Sequence, residues 1–167
     1  ITNLILLNYS PRLNKFMYWY QQLIAESLGK MNKGFLPTIS NVPKDHHSLL
    51  QLYLDGPKDK IFYVFSTKNK INLKTNSKFF GKEMQHLNKK TYNDIKLSQK
   101  NAFVKVIKSK KIPIREIFVK KIDEKNICEL FLTFIFETIL LGKMLNLNPY
   151  DQPSVELIKK ETRKILV

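Results

Sequence analysis

At 167 residues, 43% hydrophobic and 26% charged, the chain is long enough for one domain with a real core and has the composition of a soluble globular protein. Its formal net charge of +15 is almost all lysine, with arginine only at positions 12, 115 and 163, and its one cysteine, Cys128, excludes an internal disulfide. Gripping nucleic acid calls for arginine forks and aromatic stacking platforms; lysines strewn from Lys68 to Lys125 among Asn and Ile supply neither, so no nucleic-acid partner is expected. The positive field favours solubility and can still attract a phosphorylated metabolite.

Ile1–Asn8 (ITNLILLN) is a nearly continuous apolar run, as in a parallel strand buried on both faces. Turn chemistry at Tyr9–Arg12 precedes a helix over Leu13–Leu28, with Phe16, Tyr20, Leu23 and Ile24 as core positions. Gly29 stands where a helix commonly ends in a left-handed residue. A short strand is predicted near Phe35–Ile39. A second helix, capped by Asp45, then runs through Leu52 to the stop at Asp55-Gly56-Pro57. Ile61–Ser66 (IFYVFS) is a strong strand, and a lysine- and asparagine-rich helical region spans roughly Gly81–Lys110. A strand centred on Arg115–Val119 follows.

Asp123–Leu145 is predicted as a long apolar helix. Glu129, Thr133, Glu137, Gly142 and Lys143 interrupt it, which marks a buried helix rather than a membrane span, with Cys128 as a small buried hydrophobe. A loop over Asn146–Asp151 leads to a last helix from Gln152, with Pro153 in its first turn and Val155, Ile158, Thr162 and Ile165 along one face. Alternating strands and helices predict an α/β three-layer sandwich with a mostly parallel sheet and long C-terminal helices, a flavodoxin-like arrangement. Ligands of such sheets bind beyond the carboxyl ends of the strands, where the loop before His47 and the region after the first strand can lie. No membrane partner and a cytoplasmic location are expected, since no secretory signal opens the chain.

The chemistry legible from the residues alone is limited. There is no Walker loop, G-x-G-x-x-G, paired-cysteine zinc site or nucleophile elbow. His46 and His47 are adjacent, so on a helix they point about 100° apart and cannot readily share a metal ion. What remains are proton-transfer groups: Glu26, one of the two histidines, and Lys159. Gln22 and Glu26 lie one helical turn apart on one face, an amide beside a carboxylate that can hold a polyol and exchange its protons, although the same pair suits an ordinary solvated face. Gln152, at a helix start that favours anions, is seven residues before Lys159 and can share its face.

Three segments carry a resemblance. Trp19–Lys30 (WYQQLIAESLGK), Asp45–Pro57 (DHHSLLQLYLDGP), and Glu137, Gly142 and Asn146–Lys159 (NLNPYDQPSVELIK) resemble, in the same order, signature segments of the phosphoglucose isomerase family. The likeness implies a sugar-isomerase domain interconverting glucose 6-phosphate and fructose 6-phosphate through an enediolate, without metal or organic cofactor. By matching positions, Glu26 would be the catalytic base and His47 would help open the sugar ring. Lys159 would assist ring opening and steady charge on substrate oxygens, and Gln22 and Gln152 would hold the substrate. The family's site forms at a homodimer interface, with the matching histidine coming from the partner.

Ser154 stands where the family usually has Gly, and Leu147 and Tyr150 replace Ile and Phe. The chain resembles only the second of the family's two domains. The serine/threonine-rich phosphate loop and the glycine–arginine motif of the first are not matched, so the chain is expected to be a single carboxyl-terminal domain, residues 1–167, lacking the amino-terminal one. The alternative function is a sugar-phosphate-binding module without turnover.

Overall fold

A computed structural model describes residues 1–68, 73–76 and 81–166. Residues 69–72 and 77–80 of the lysine-rich middle lie outside it. Four strands, β1 (Asn3–Asn8), β2 (Leu36–Asn41), β3 (Lys60–Thr67) and β4 (Ile114–Val119), form a sheet in the order β2-β1-β3-β4. Every pairing is parallel, with Asn3 opposite both Leu36 and Lys60, and Phe62 opposite Ile114. β1 is central, which accounts for its unbroken apolar sequence: both its faces are covered.

Alternate residues divide the core in two. Leu4, Leu6, Tyr63 and Phe65 face a layer made by α1 (Asn14–Leu28) and α5 (Glu124–Met144). Ile5, Leu7, Phe62 and Val64 face the opposite layer, where α3 (Leu50–Asp55) contributes Tyr53, and α4 (Tyr92–Ser109) contributes Phe103 and Ile107. The sandwich is three-layered, as the alternation of elements requires. Phe16, Tyr20 and Ile24 of α1 are buried as expected, and Leu23 is partly buried against them. Phe134 of α5 meets Phe16, Tyr20, Tyr63 and Phe65 in an aromatic cluster that joins the two helices to the sheet.

Local details depart from the sequence reading. Gly29 ends α1 with φ −77°, not left-handed; the left-handed turn falls later, at Met31, Asn32 and Gly34. Gly29 is still demanded by space, because a Cβ there would stand 2.6 Å from the Ala25 carbonyl oxygen. The single helix expected from Asp45 is two, α2 (Lys44–Ser48) and α3, broken at Leu49. Asp45 is not its cap: its carboxylate accepts the Asn41 backbone N–H at 2.8 Å, tying α2 back to the end of β2. The Gly81–Lys110 region is a 3-10 turn at Lys82–Leu87 and then α4, whose start is set by a reciprocal Thr91–Asp94 capping box. Asp123 caps α5 by accepting the Asn126 N–H.

The largest correction concerns the last two helices. α5 buries Leu130, Phe134, Thr138 and Gly142, but its other side is open and Cys128 is exposed. In α6 (Pro153–Ile165) no residue is buried, and the face of Val155, Ile158, Thr162 and Ile165 is exposed. Among those residues no helix is long and apolar enough to cross a membrane.

Candidate active site

Glu26 stands in the last turn of α1, which returns from the carboxyl end of β1 to the amino ends of the strands. There Leu36 N–H bonds Thr2 O at 2.8 Å as β2 begins. Glu26 is partly exposed, and each oxygen of its carboxylate accepts one hydrogen bond. Gln22 Nε2 donates to one oxygen at 3.0 Å, the bond expected for residues one turn apart, and Gln152 Nε2 donates to the other at 2.9 Å across 126 residues of chain. Two amides thus orient one carboxylate from opposite sides, with one oxygen assigned to each.

The approach of Gln152 is built by the loop between α5 and α6. Gly142 leaves room for Pro149, whose Cβ would lie 3.2 Å from any Cβ at 142. The Leu147 N–H reaches back to Gly142 O at 2.8 Å, and Leu147 itself is buried. Asn148 Oδ1 accepts the Tyr150 N–H at 3.1 Å, an Asx turn. Two lysines beyond Glu26 then clamp the loop: Lys30 Nζ donates to Asn148 O and Asp151 Oδ1, both at 2.5 Å, and Lys33 Nζ to Leu145 O at 2.8 Å. The hydrogen bond and charge of Lys30 hold the Asp151 carboxyl below its ordinary range. The segment Gly142–Gln152 is therefore a mount for one amide.

The histidines divide their work. His46 packs inward: its Nε2 and the Tyr9 hydroxyl are 2.8 Å apart, and its ring stacks on Phe103 with centroids 5.4 Å apart. Burial pulls its pKa down, against a smaller upward pull from Asp45. The His47 ring is exposed and makes no hydrogen bond or ring contact within the described residues. α2 follows β2 directly, so His47 belongs to the carboxyl ends of the strands, while Glu26, Gln22 and Gln152 gather at the amino ends. α1 carries Glu26 back along the sheet, so these three residues lie at the end of the sheet opposite the loop before His47.

Lys159 is also apart. It pairs with Glu156 one turn earlier on α6, Nζ to Oε1 at 2.7 Å, with more than half of each side chain exposed. Gln152 has an irregular backbone ahead of the helix proper, so it turns toward Glu26 and does not continue the Lys159 face. Of the five expected site residues, the chain assembles Glu26, Gln22 and Gln152 and leaves His47 and Lys159 elsewhere.

A polar cluster that the sequence reading missed sits between α1 and α5. Glu137 accepts the Tyr63 hydroxyl at 2.7 Å and the Tyr20 hydroxyl at 3.4 Å on Oε1, and pairs through Oε2 with Arg115, which lies 5.2 Å over the Tyr63 ring. Burial and then Glu137 push the Tyr63 phenol up to about 12. Burial works against the Arg115 charge, yet Glu137 and Tyr63 hold its pKa above the ordinary value. The signal was available: a carboxylate within an apolar helix needs a partner, and an arginine in a lysine-rich chain marks a planar or stacked contact.

The chain is 36% identical over 156 residues to the glucose-6-phosphate isomerase of Methanocaldococcus jannaschii, matching 93% of this chain and 38% of that protein. It is 35% identical over 163 residues to a probable glucose-6-phosphate isomerase of Methanococcus maripaludis, matching 97% of this chain and 36% of the relative. A solved structure of a hypothetical protein from Thermus thermophilus superposes on 99% of the chain and 41% of its own length, with TM-score 0.88 at 26% identity. A glucose-6-phosphate isomerase from Chlamydia trachomatis has the same fold over 99% of this chain and 34% of its own, with TM-score 0.79 at 14% identity. No family model matches. The chain thus spans well under half the length of the curated relatives it matches.

Proposed function

We propose, from partial homology to glucose-6-phosphate isomerases, that this chain carries the proton-transfer part of an aldose–ketose isomerase interconverting glucose 6-phosphate and fructose 6-phosphate. The observation that carries the reading is the Glu26 carboxylate held between two amides, each from a segment matching the family's signatures. A base that abstracts a proton from carbon must be aimed, and two donors fixed on different elements aim it. In this reaction Glu26 takes the proton from C2 of the open-chain aldose, leaving an enediolate. Transfer of the C2 hydroxyl proton to O1 and return of the carbon-bound proton to C1 give the ketose with its carbonyl at C2. In this reading Gln22 and Gln152 also hold the substrate through its hydroxyls.

His47 opens the sugar ring in this scheme. Its unengaged position at the other end of the sheet fits donation to the Glu26 of a second copy in a homodimer. Lys159 steadies charge on substrate oxygens, its final placement set by whatever packs against α6. The phosphate grip comes from the domain that the chain does not match, and no step calls for a metal or organic cofactor.

The test grafts this chain in place of the homologous segment of the M. jannaschii relative. Glu26→Gln in that protein lowers turnover by about 10²- to 10⁴-fold while fructose 6-phosphate binding, measured by calorimetry, persists. Near-normal turnover in the variant removes Glu26 from its role. Binding without turnover when Glu26 is intact favours the module that only binds sugar phosphate.

A further inference from the structure

The outer side of α5 is built like a core and covered by nothing within the described residues. Leu132, Phe136, Leu140 and Met144 recur every four residues, each between 53% and 79% exposed, and Cys128 extends the row by one more turn. From Leu132 to Met144 the row is about 18 Å long at 1.5 Å per residue. The inner side of the same helix is also apolar, with Leu130 and Phe134 buried. A helix with an apolar row on each of two opposite sides gains from cover on both, and contiguous exposed apolar patches of this kind mark interfaces.

We infer that the outer face of α5 is the docking surface for the polypeptide that makes up the remaining three fifths or so of the homologous isomerases. The argument is one of length. The match covers 93% and 97% of this chain but only 38% and 36% of the two methanogen relatives. Most of the polypeptide in those relatives therefore packs outside this fold, and α5 offers it a long apolar seat. α5 also lies in the same layer as α1 and carries the loop that presents Gln152, so a body seated there comes beside Glu26. The inference rests on the homology and not on the proposed activity.

Cys128, the only cysteine in the chain, reports occupancy of this face. In the isolated 167-residue chain it reacts with maleimide as an exposed thiol. In the chimera with the M. jannaschii relative, peptide-resolved labelling slows about tenfold or more. The double substitution Phe136→Lys and Leu140→Lys, at exposed positions that leave the isolated chain's circular dichroism unchanged, restores fast labelling in the chimera. Equal labelling of chain and chimera overturns the inference. So does self-association of the isolated chain that the double substitution abolishes, since a second copy is then the occupant. A co-expression experiment covers a chimera that does not accumulate. The relative's unmatched polypeptide is expected to capture this chain and its Tyr18→Lys variant but not the double variant, and failure to capture the unaltered chain overturns the inference.

Discussion

The two ends of the sheet are held in opposite ways. At the amino end, Glu26 is fixed by a neighbour one turn away, by an amide 126 residues away, and by two lysines that clamp the loop delivering that amide. At the carboxyl end, His46 is locked between Tyr9 and Phe103 while the next residue, His47, faces solvent. One end is tied together within the chain and the other leaves an imidazole open to solvent. The difference teaches that one fold can treat adjacent residues of one type oppositely, holding His46 by its ring and leaving His47 to solvent.

The hardest blow to the tied end is to the contact joining α1 and α5. Phe134→Ala empties a fully buried ring site against Phe16, Tyr20, Tyr63 and Phe65 and costs about 3–5 kcal/mol in urea unfolding. Because that contact sets the distance between Glu26 and the α5–α6 loop, the variant also loosens the grip of Gln152. A smaller loss, below about 1.5 kcal/mol, would mean that α5 repacks freely and that the aromatic cluster does not fix the site.

Gly142→Val is the next lever, because it acts on the loop through the buried contact of Gly142 with Pro149. The added Cβ meets Pro149 at 3.2 Å and the branched methyls press further, so the loop is pushed away from α5 at a cost of about 1–3 kcal/mol. A crystal structure of the variant is expected to show Gln152 displaced from Glu26 while Gln22 keeps its bond. An undisturbed Gln152 would show that Lys30 and Lys33 position the loop without help from the Gly142–Pro149 contact.

The fold was legible because burial writes itself into sequence at short range. The runs ITNLILLN and IFYVFS have the length and the β-branched and aromatic content of strands covered on both faces, and the helices between them fit the parallel crossovers observed. The Gln22–Glu26 bond was legible for the same reason, since helical spacing alone predicts it. The Glu26–Gln152 bond was not, because it depends on a loop whose shape comes from Gly142, Pro149 and two distant lysines. The open face of α5 was hidden for another reason. Sequence reports that a face is apolar, not whether its cover belongs to the same chain, so a helix with Cys128 exposed read as buried throughout.

At the carboxyl end, His46→Leu tests the held histidine. It leaves the buried Tyr9 hydroxyl without its partner, a cost of about 1–2 kcal/mol. The variant should also alter the pH dependence of stability. Burial lowers the His46 pKa in the folded state, so as pH falls below about 6.5 the unfolded chain takes up this proton first and folding weakens. Below the folded pKa no further loss arises from this group. His46→Leu is expected to remove that part of the slope between pH 6.5 and the lower folded value, read from denaturation midpoints at each pH. An unchanged slope would mean that other groups dominate it.

The smallest effect on stability is expected one residue further on. The His47 ring is exposed and makes no hydrogen bond or ring contact within the described residues, so His47→Ala should leave stability within about 0.5 kcal/mol of the parent. The comparison with His46 then becomes sharp, since two adjacent histidines on one short helix would differ severalfold in what their removal costs. If His47 serves the Glu26 of another copy, the same variant in the M. jannaschii chimera loses turnover on the cyclic sugar and keeps more of it on substrate already in the open-chain form. Mixing the His47→Ala chimera with a Glu26→Gln chimera should restore up to about a quarter of the parent activity, because a mixed dimer holds one site with both groups intact. Failure of mixing to rescue, with subunit exchange demonstrated separately, would return His47 to the site of its own chain.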